Sequence, residues 1–115
     1  MMRLTSILLI ILVTTGLAFA DDISGPLSGE IGPGYYTVTG SIYIQPGDSL
    51  KINPGTTFAL MGPYALSIMG YLEAVGTEDD SIVFKRNLGV SSWEGIIFRA
   101  NCDDNSIMEY CYING

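Results

Sequence analysis

From Ser41 onward the chain alternates apolar residues with polar or small ones in short runs. Ile42 and Ile44 flank Tyr43, Leu50 and Ile52 flank Lys51, Phe58 and Leu60 flank Ala59, and Leu66 and Ile68 flank Ser67. The alternation continues with Leu72 and Ala74 around Glu73, Ile82 and Phe84 around Val83, Ile96 and Phe98 around Ile97, and Cys111 and Ile113 around Tyr112. A period of two places one side-chain set on a buried face and the other on an open face, which is the signature of β-strands. No stretch beyond Ala20 shows a helical period. Between the runs stand Pro46-Gly47-Asp48, Asn53-Pro54-Gly55, Gly62-Pro63, Gly70, Gly76-Thr77 and Asn87 with Gly89. Gly supplies positive φ and Pro presets φ, so each of these breaks a strand for a physical reason.

The runs recur as a set. Ile42 to Leu66, Ile44 to Ile68, Phe58 to Ile82 and Leu60 to Phe84 are each 24 residues apart, while Leu50 to Leu72 and Ile52 to Ala74 are 22 apart. Ile96 and Phe98 follow Leu66 and Ile68 by 30, with loops at residues 87–92 and 101–105 absorbing the excess. Periods of this length mark solenoids, in which equivalent inward side chains stack from coil to coil. The pattern predicts an all-β solenoid of about three three-strand coils over residues 41–115. The Gly- and Pro-rich stretch 21–40 is expected to form an entry segment and N-terminal cap. Only Asn114 and Gly115 follow Ile113, so open strand edges are expected there, and the chain reads as a truncated frame.

The residues before Asp21 follow a different logic. Arg3 supplies one cation, Ile7 to Val13 an apolar run, and Ala18 and Ala20 the small residues of a cleavage site, so residues 1–20 read as a secretory signal peptide. Thr14, Thr15 and Gly16 interrupt the apolar run short of the roughly 20 residues that span a bilayer, and no stable membrane span is expected after cleavage. The expected location is outside the cell or on its surface.

Cleavage would remove Arg3 and no acidic residue, leaving four Lys and Arg against twelve Asp and Glu. Lys51, Lys85, Arg86 and Arg99 are too few and scattered to neutralise a row of phosphates, which argues against a nucleic-acid partner. Cys102 and Cys111 lie in a chain bound for an oxidising compartment, so a disulfide between them is one reading. Cys111 as a small apolar residue in a strand core is the other.

Candidate chemistry is thin. The chain has no His, so no Ser or Cys has the commonest base beside it. Carboxylates cluster at Glu78-Asp79-Asp80 and Asp103-Asp104, and paired acids can share acid–base work or hold calcium. Both clusters fall between strands, where Asp is favoured because it bonds neighbouring backbone. No catalytic, cofactor or metal residue is assigned. Tyr43 and Tyr71 stand at outward or corner positions, where a flat ring can stack on a sugar face or simply pack. Trp93 is expected to cover a corner of the core, and Lys85 and Arg86 to be solvated strand ends.

The run Tyr36 to Ile44, the segment Pro46 to Thr57, the stretch Gly70 to Phe84, and the strings Trp93-Glu-Gly-Ile-Ile-Phe and Tyr110-Cys-Tyr-Ile resemble the opening of secreted bacterial right-handed parallel β-helix proteins. The resemblance covers Tyr35 to Gly115. It implies a pectin-lyase-like fold with three parallel sheets, in a group that includes polysaccharide lyases and hydrolases, adhesins and surface proteins. The leading expectation is a non-catalytic N-terminal portion of a secreted or cell-surface protein, serving as scaffold or as a contact surface for extracellular polysaccharide or cell-surface glycan. The alternative is the N-terminal part of a polysaccharide lyase or hydrolase whose catalytic coils lie downstream.

Overall fold

The structure, a computed structural model, describes residues 21–114. The signal-peptide reading, with Ala18 and Ala20, lies outside the described residues. Within them, the period-two runs become strands: β1 (Asp21–Pro26), β2 (Gly29–Ile31), β3 (Gly34–Ile44), β4 (Ser49–Ile52), β5 (Thr56–Leu60), β6 (Ala65–Ile68), β7 (Tyr71–Val75), β8 (Ile82–Arg86), β9 (Gly95–Phe98), β10 (Ile107–Glu109) and β11 (Cys111–Asn114). Every strand pair is parallel.

The expected right-handed parallel β-helix of three-strand coils, with three separate sheets, is corrected. The strands assemble into two sheets: a seven-stranded half-barrel in the order β11-β8-β5-β3-β6-β9, with β1 also paired to β3, and a four-stranded sheet in the order β10-β7-β4-β2. The cause is β3, which runs unbroken for 11 residues. Its first part, Gly34 to Val38, pairs with β5, and its last part, Ile42 to Ile44, pairs with β6. Nothing between Val38 and Ile42 removes a backbone donor, so two ladders expected as separate walls join into one. The resulting body measures 40 × 35 × 28 Å, compact in every direction.

Residues 21–40 contribute β1, β2 and the start of β3, and Ile23, Leu27, Ile31 and Tyr36 pack against the core. The two outermost partners, β1 and β2, are short of apolar residues, but their Ile side chains extend the inward rows.

Several spacings read from the sequence appear as hydrogen-bonded register. Ile42 pairs with Leu66 and Leu66 with Ile96; Ile44 pairs with Ile68 and Ile68 with Phe98. Leu50 pairs with Leu72 and Ile52 with Ala74. The equivalence of Phe58 with Ile82 and of Leu60 with Phe84 is corrected, because the register is Phe58 to Phe84 and Leu60 to Arg86. A slip of two residues keeps every side chain on its face, so alternation alone cannot choose between the two pairings. Ring packing distinguishes them. Tyr36, Phe58 and Phe84 lie over one another with centroids 5.8 and 4.9 Å apart, and Trp93 continues the stack 6.4 Å from Phe84. Offset aromatic pairs at these distances add roughly 0.5–1.5 kcal/mol each beyond their burial.

The core between the sheets is made of Val38, Ile42, Ile44, Leu50, Ile52, Phe58, Leu60, Leu66, Ile68, Leu72, Ile82 and Phe84, all at most 2% exposed. Its one buried polar side chain among the described residues, Thr56, is satisfied by donating to the Asn53 carbonyl at 2.7 Å. Asn53 in turn donates its side-chain amide to Glu30 Oε2 and to the Gly32 carbonyl, both at 2.9 Å, which ties the turn before β5 to β2.

Phe58 is sandwiched between two rings, so its removal leaves a gap that neither neighbour can fill by a rotamer change. Phe58→Ala is expected to cost about 3–5 kcal/mol, read as a lower midpoint in urea unfolding, whereas Phe58→Leu should recover more than half of that loss.

Candidate functional site

The turns that connect β3 to β4, β6 to β7 and β9 to β10 lie side by side because the strands they join are in parallel register. Pro46-Gly47 makes the first, with Gly47 at φ 85° and the Asp48 N–H donating to the Gln45 carbonyl at 3.0 Å. The second is reduced to Met69-Gly70. Its Met69 N–H donates to the Ile44 carbonyl at 2.9 Å, and the Tyr71 N–H donates to the Asp48 carbonyl at 3.0 Å. The third is the longer loop 99–106. It is fastened by Asp103 N–H to the Gly70 carbonyl at 2.9 Å, and by Ser106 Oγ, which accepts the Leu72 N–H at 3.0 Å. Gly70 sits where nothing larger fits: a Cβ there would run into the carbonyl oxygens of Asp48 and Gln45.

These three turns enclose an open crevice of about 400 Å³. Its chemistry comes from Asp48, Ser49, Tyr71, Asn101 and Asp103, with the Met69 side chain adding apolar surface. Asp103 uses Oδ1 to accept the Asn105 N–H at 2.8 Å, which fixes the carboxylate in its own loop. Tyr71 Oη lies 3.4 Å from Glu73 Oε1, a long hydrogen bond in which the phenol donates. Partial desolvation first, then the charge and hydrogen bond of Glu73 and the charge of Asp103, push the Tyr71 phenol above its usual value of 10.0. The ring is therefore neutral across the physiological range and faces a strongly negative surround. Among the described residues no Lys or Arg lines the crevice.

The residues singled out in the sequence divide around this site. Tyr71 and Asp103 come together in it; Tyr43 stays half-buried on the outer side of β3, opposite Pro26 and Ser67, and does not line it. Glu78, Asp79 and Asp80 are exposed in the turn before β8. There the Asp80 N–H donates to Thr77 Oγ1 at 3.0 Å and the Asp80 carbonyl accepts from the Thr77 and Gly55 N–H groups, so it is the main chain of Asp80 that braces the turn. Among the described residues no group of three or more Cys, Asp or Glu converges on a point where a metal could sit.

Trp93 stacks on Phe84 and donates its indole N–H to the Asn114 carbonyl at 3.0 Å. Lys85 and Arg86 are not merely solvated: Lys85 Nζ lies 5.4 Å from the centre of the Tyr35 ring, and Arg86 donates to the carbonyls of Val90 and Ser91. Cys102 and Cys111 are free thiols, each partly buried against the core, and the disulfide considered for them is not formed in this structure. The Cys111 thiol lies 3.4 Å from the Ala74 carbonyl, and burial pushes it above its usual range.

Met69, Asn101 and Asp48 carried no functional signal in the sequence beyond turn chemistry. The signal that could have found them is the 24-residue spacing itself, which lays the residues after Ile44 beside those after Ile68, and the 30-residue spacing that adds those after Phe98.

No family model matches the chain, and no solved structure matches it. Over 67 residues, 56% of this chain, the sequence is 39% identical to Protein bark beetle of Drosophila melanogaster. The match spans 2% of that protein's length. The likeness is confined to a short stretch of a far longer chain.

Two measurements check the geometry. Gly70→Ala should destabilise the fold by about 1–3 kcal/mol, the cost of forcing a methyl group into a packed site, seen as a lower thermal midpoint. Ultraviolet titration should find the Tyr71 phenol ionising above its usual value of 10.0, and Glu73→Gln should lower it. Because the folded state holds this proton more tightly than the unfolded state, the associated stability is complete below pH 10. It is lost as pH rises through the folded value.

Proposed function

We propose that this chain is a non-catalytic part of an exported protein, and that its corner crevice is a contact site for extracellular polysaccharide or cell-surface glycan. The observation that carries the reading is the crevice. It is open to solvent, and a tyrosine ring is held beside two carboxylates and a carboxamide on turns that backbone hydrogen bonds make rigid. Aromatic faces pack against the C–H faces of sugar rings, while carboxylate and amide oxygens accept hydrogen bonds from hydroxyl groups. A site on rigid turns loses little conformational entropy when it binds, which suits recognition better than large-scale closure.

Export is supported by the cation, apolar run and small-residue order of residues 1–20. Scaffold and contact roles are compatible here. The parallel ladders fix the turns, and the turns present the side chains.

The test is binding of the secreted protein to an immobilised glycan panel. Tyr71→Ala should lower affinity for the bound glycans by about tenfold or more, the loss expected for an aromatic contact worth a little over 1 kcal/mol, with the urea midpoint nearly unchanged. Retention of full binding by that variant would remove the crevice from the contact surface.

A further inference from the structure

The two sides of the body on which the sheets end are built differently. β3 pairs with β1 on one side and with both β5 and β6 on the other, so the strands that follow β5 and β6 end, in β11 and β9, on the side away from β1. β10, the outer strand of the smaller sheet, is joined to β11 through Tyr110 alone and lies on that same side, with β2 at the opposite edge. The β1 edge carries the devices that keep a free edge from pairing: a register break between Ile23 and Gly25, the ring of Pro26, and the charges of Asp21 and Asp22. β2 adds Glu30 and is followed by Pro33. β9, β10 and β11 carry no proline and run in unbroken register with β6, β7 and β8. Among the described residues no strand covers their outer side.

The side chains at this edge are those of an interior left open. Phe98 continues the inward row of Ile44 and Ile68, and Ile113 continues that of Phe58 and Phe84. Ile68 and Phe84 are at most 1% exposed, whereas Phe98 is 46% and Ile113 51% exposed, because no next strand covers them. Ile107, Tyr110 and Tyr112 join them, so this edge holds five of the eight large apolar or aromatic residues exposed among the described ones. Scattered apolar residues need no explanation, but a contiguous set marks a contact surface. In a chain with twelve Asp and Glu against five Lys and Arg, these strands are close to neutral. Their charges are Glu109 in β10 and Arg99 directly after β9, and Arg99 is turned back to donate to Ser67 Oγ at 3.4 Å.

We infer that this side is an interface between two copies of the chain, related by a twofold axis, with β9, β10 and β11 of one copy against the same strands of the other. Rows of unpaired N–H and C=O groups call for another strand edge, and open inward rows call for apolar side chains. A second copy supplies both through this same surface. The β1 and β2 side supplies Asp21, Asp22 and Glu30 instead, so a head-to-tail contact would set apolar rows against carboxylates. A contact made by one surface with itself closes at two copies. The area suffices: even the smallest cross-section of the body, 35 × 28 Å, is of the order of the roughly 800 Å² per partner that a stable pair buries.

The experiment is sedimentation equilibrium on the purified protein from about 1 to about 100 µM, the weak end of what interfaces of this size give. The expected result is reversible association that stops at twice the monomer mass. Phe98→Lys and Ile107→Lys place a cation on the edge, and each should weaken the dimer by about tenfold or more. Asp22→Lys, which alters the opposite side, should leave the mass unchanged. Hydrogen exchange on the unaltered protein locates the contact without any substitution. Amides of β9, β10 and β11 should gain protection as concentration rises, and those of β1 and β2 should not.

A monomer across the whole range would overturn the inference. So would association that grows past two copies with protection of β1 and β2, which is the head-to-tail outcome. A dimer that protects neither β9, β10 nor β11 would place the contact elsewhere and overturn it as well.

Discussion

The stack formed by Tyr36, Phe58, Phe84 and Trp93 is the interaction on which the rest of the structure turns. Parallel ladders admit slips of two residues without moving any side chain to the wrong face. Hydrogen bonds are equally good in each such register. What distinguishes them is what the inward side chains meet, and three large flat rings in consecutive strands find each other in only one. Once Phe58 is set over Phe84, the positions of β5 and β8 are fixed, and β11 follows through the pairing of Ile113 with Phe84. The aliphatic rows through Ile42, Leu66 and Ile96 then fill the remaining volume, but they lack the shape to set the register alone.

The crevice is a consequence of this order. A parallel sheet brings the ends of its strands level, so the turns that follow them also stand level. Three turns of unequal length cannot close on each other completely. The short Met69-Gly70 turn lies between a wider Pro46-Gly47 turn and a long loop at 99–106, and the difference leaves space. Gly70 makes the approach possible by having no side chain, and the backbone bonds from Tyr71 to Asp48 and from Asp103 to Gly70 hold the neighbours in place. Chemistry at the site is thus carried by residues whose first reason for being there is turn formation.

Much of the strand content was legible because alternation is a local signal and turn residues punctuate it. Ile42, Leu66 and Ile96 could be aligned by counting. The sheet organisation was not legible, since whether β3 breaks near Gly40 depends on hydrogen bonds to β1, β5 and β6 that no local pattern encodes. The Phe58 register was misread for a related reason: counting to Ile82 and counting to Phe84 give the same face, and only packing of rings decides. Residues 21–40 read as an entry segment because Gly and Pro are frequent there; that Ile23 and Ile31 pack against the core follows from the pairing of β1 with β3 and of β2 with β4, which no local pattern encodes. At the site, Tyr71 and Asp103 were noticed as residue types. Their neighbourhood was hidden, since it depends on an insertion in the third turn.

The indole of Trp93 reaches across from the loop before β9 to the carbonyl of Asn114, near the end of β11. Trp93 is the only tryptophan in the chain. Its fluorescence is therefore a natural optical gauge of whether the final strand is seated: an indole stacked on Phe84 and shielded from water emits at shorter wavelength than one released into solvent. Peeling of β11 would be visible as a red shift before the central strands loosen, without any label being added to the molecule.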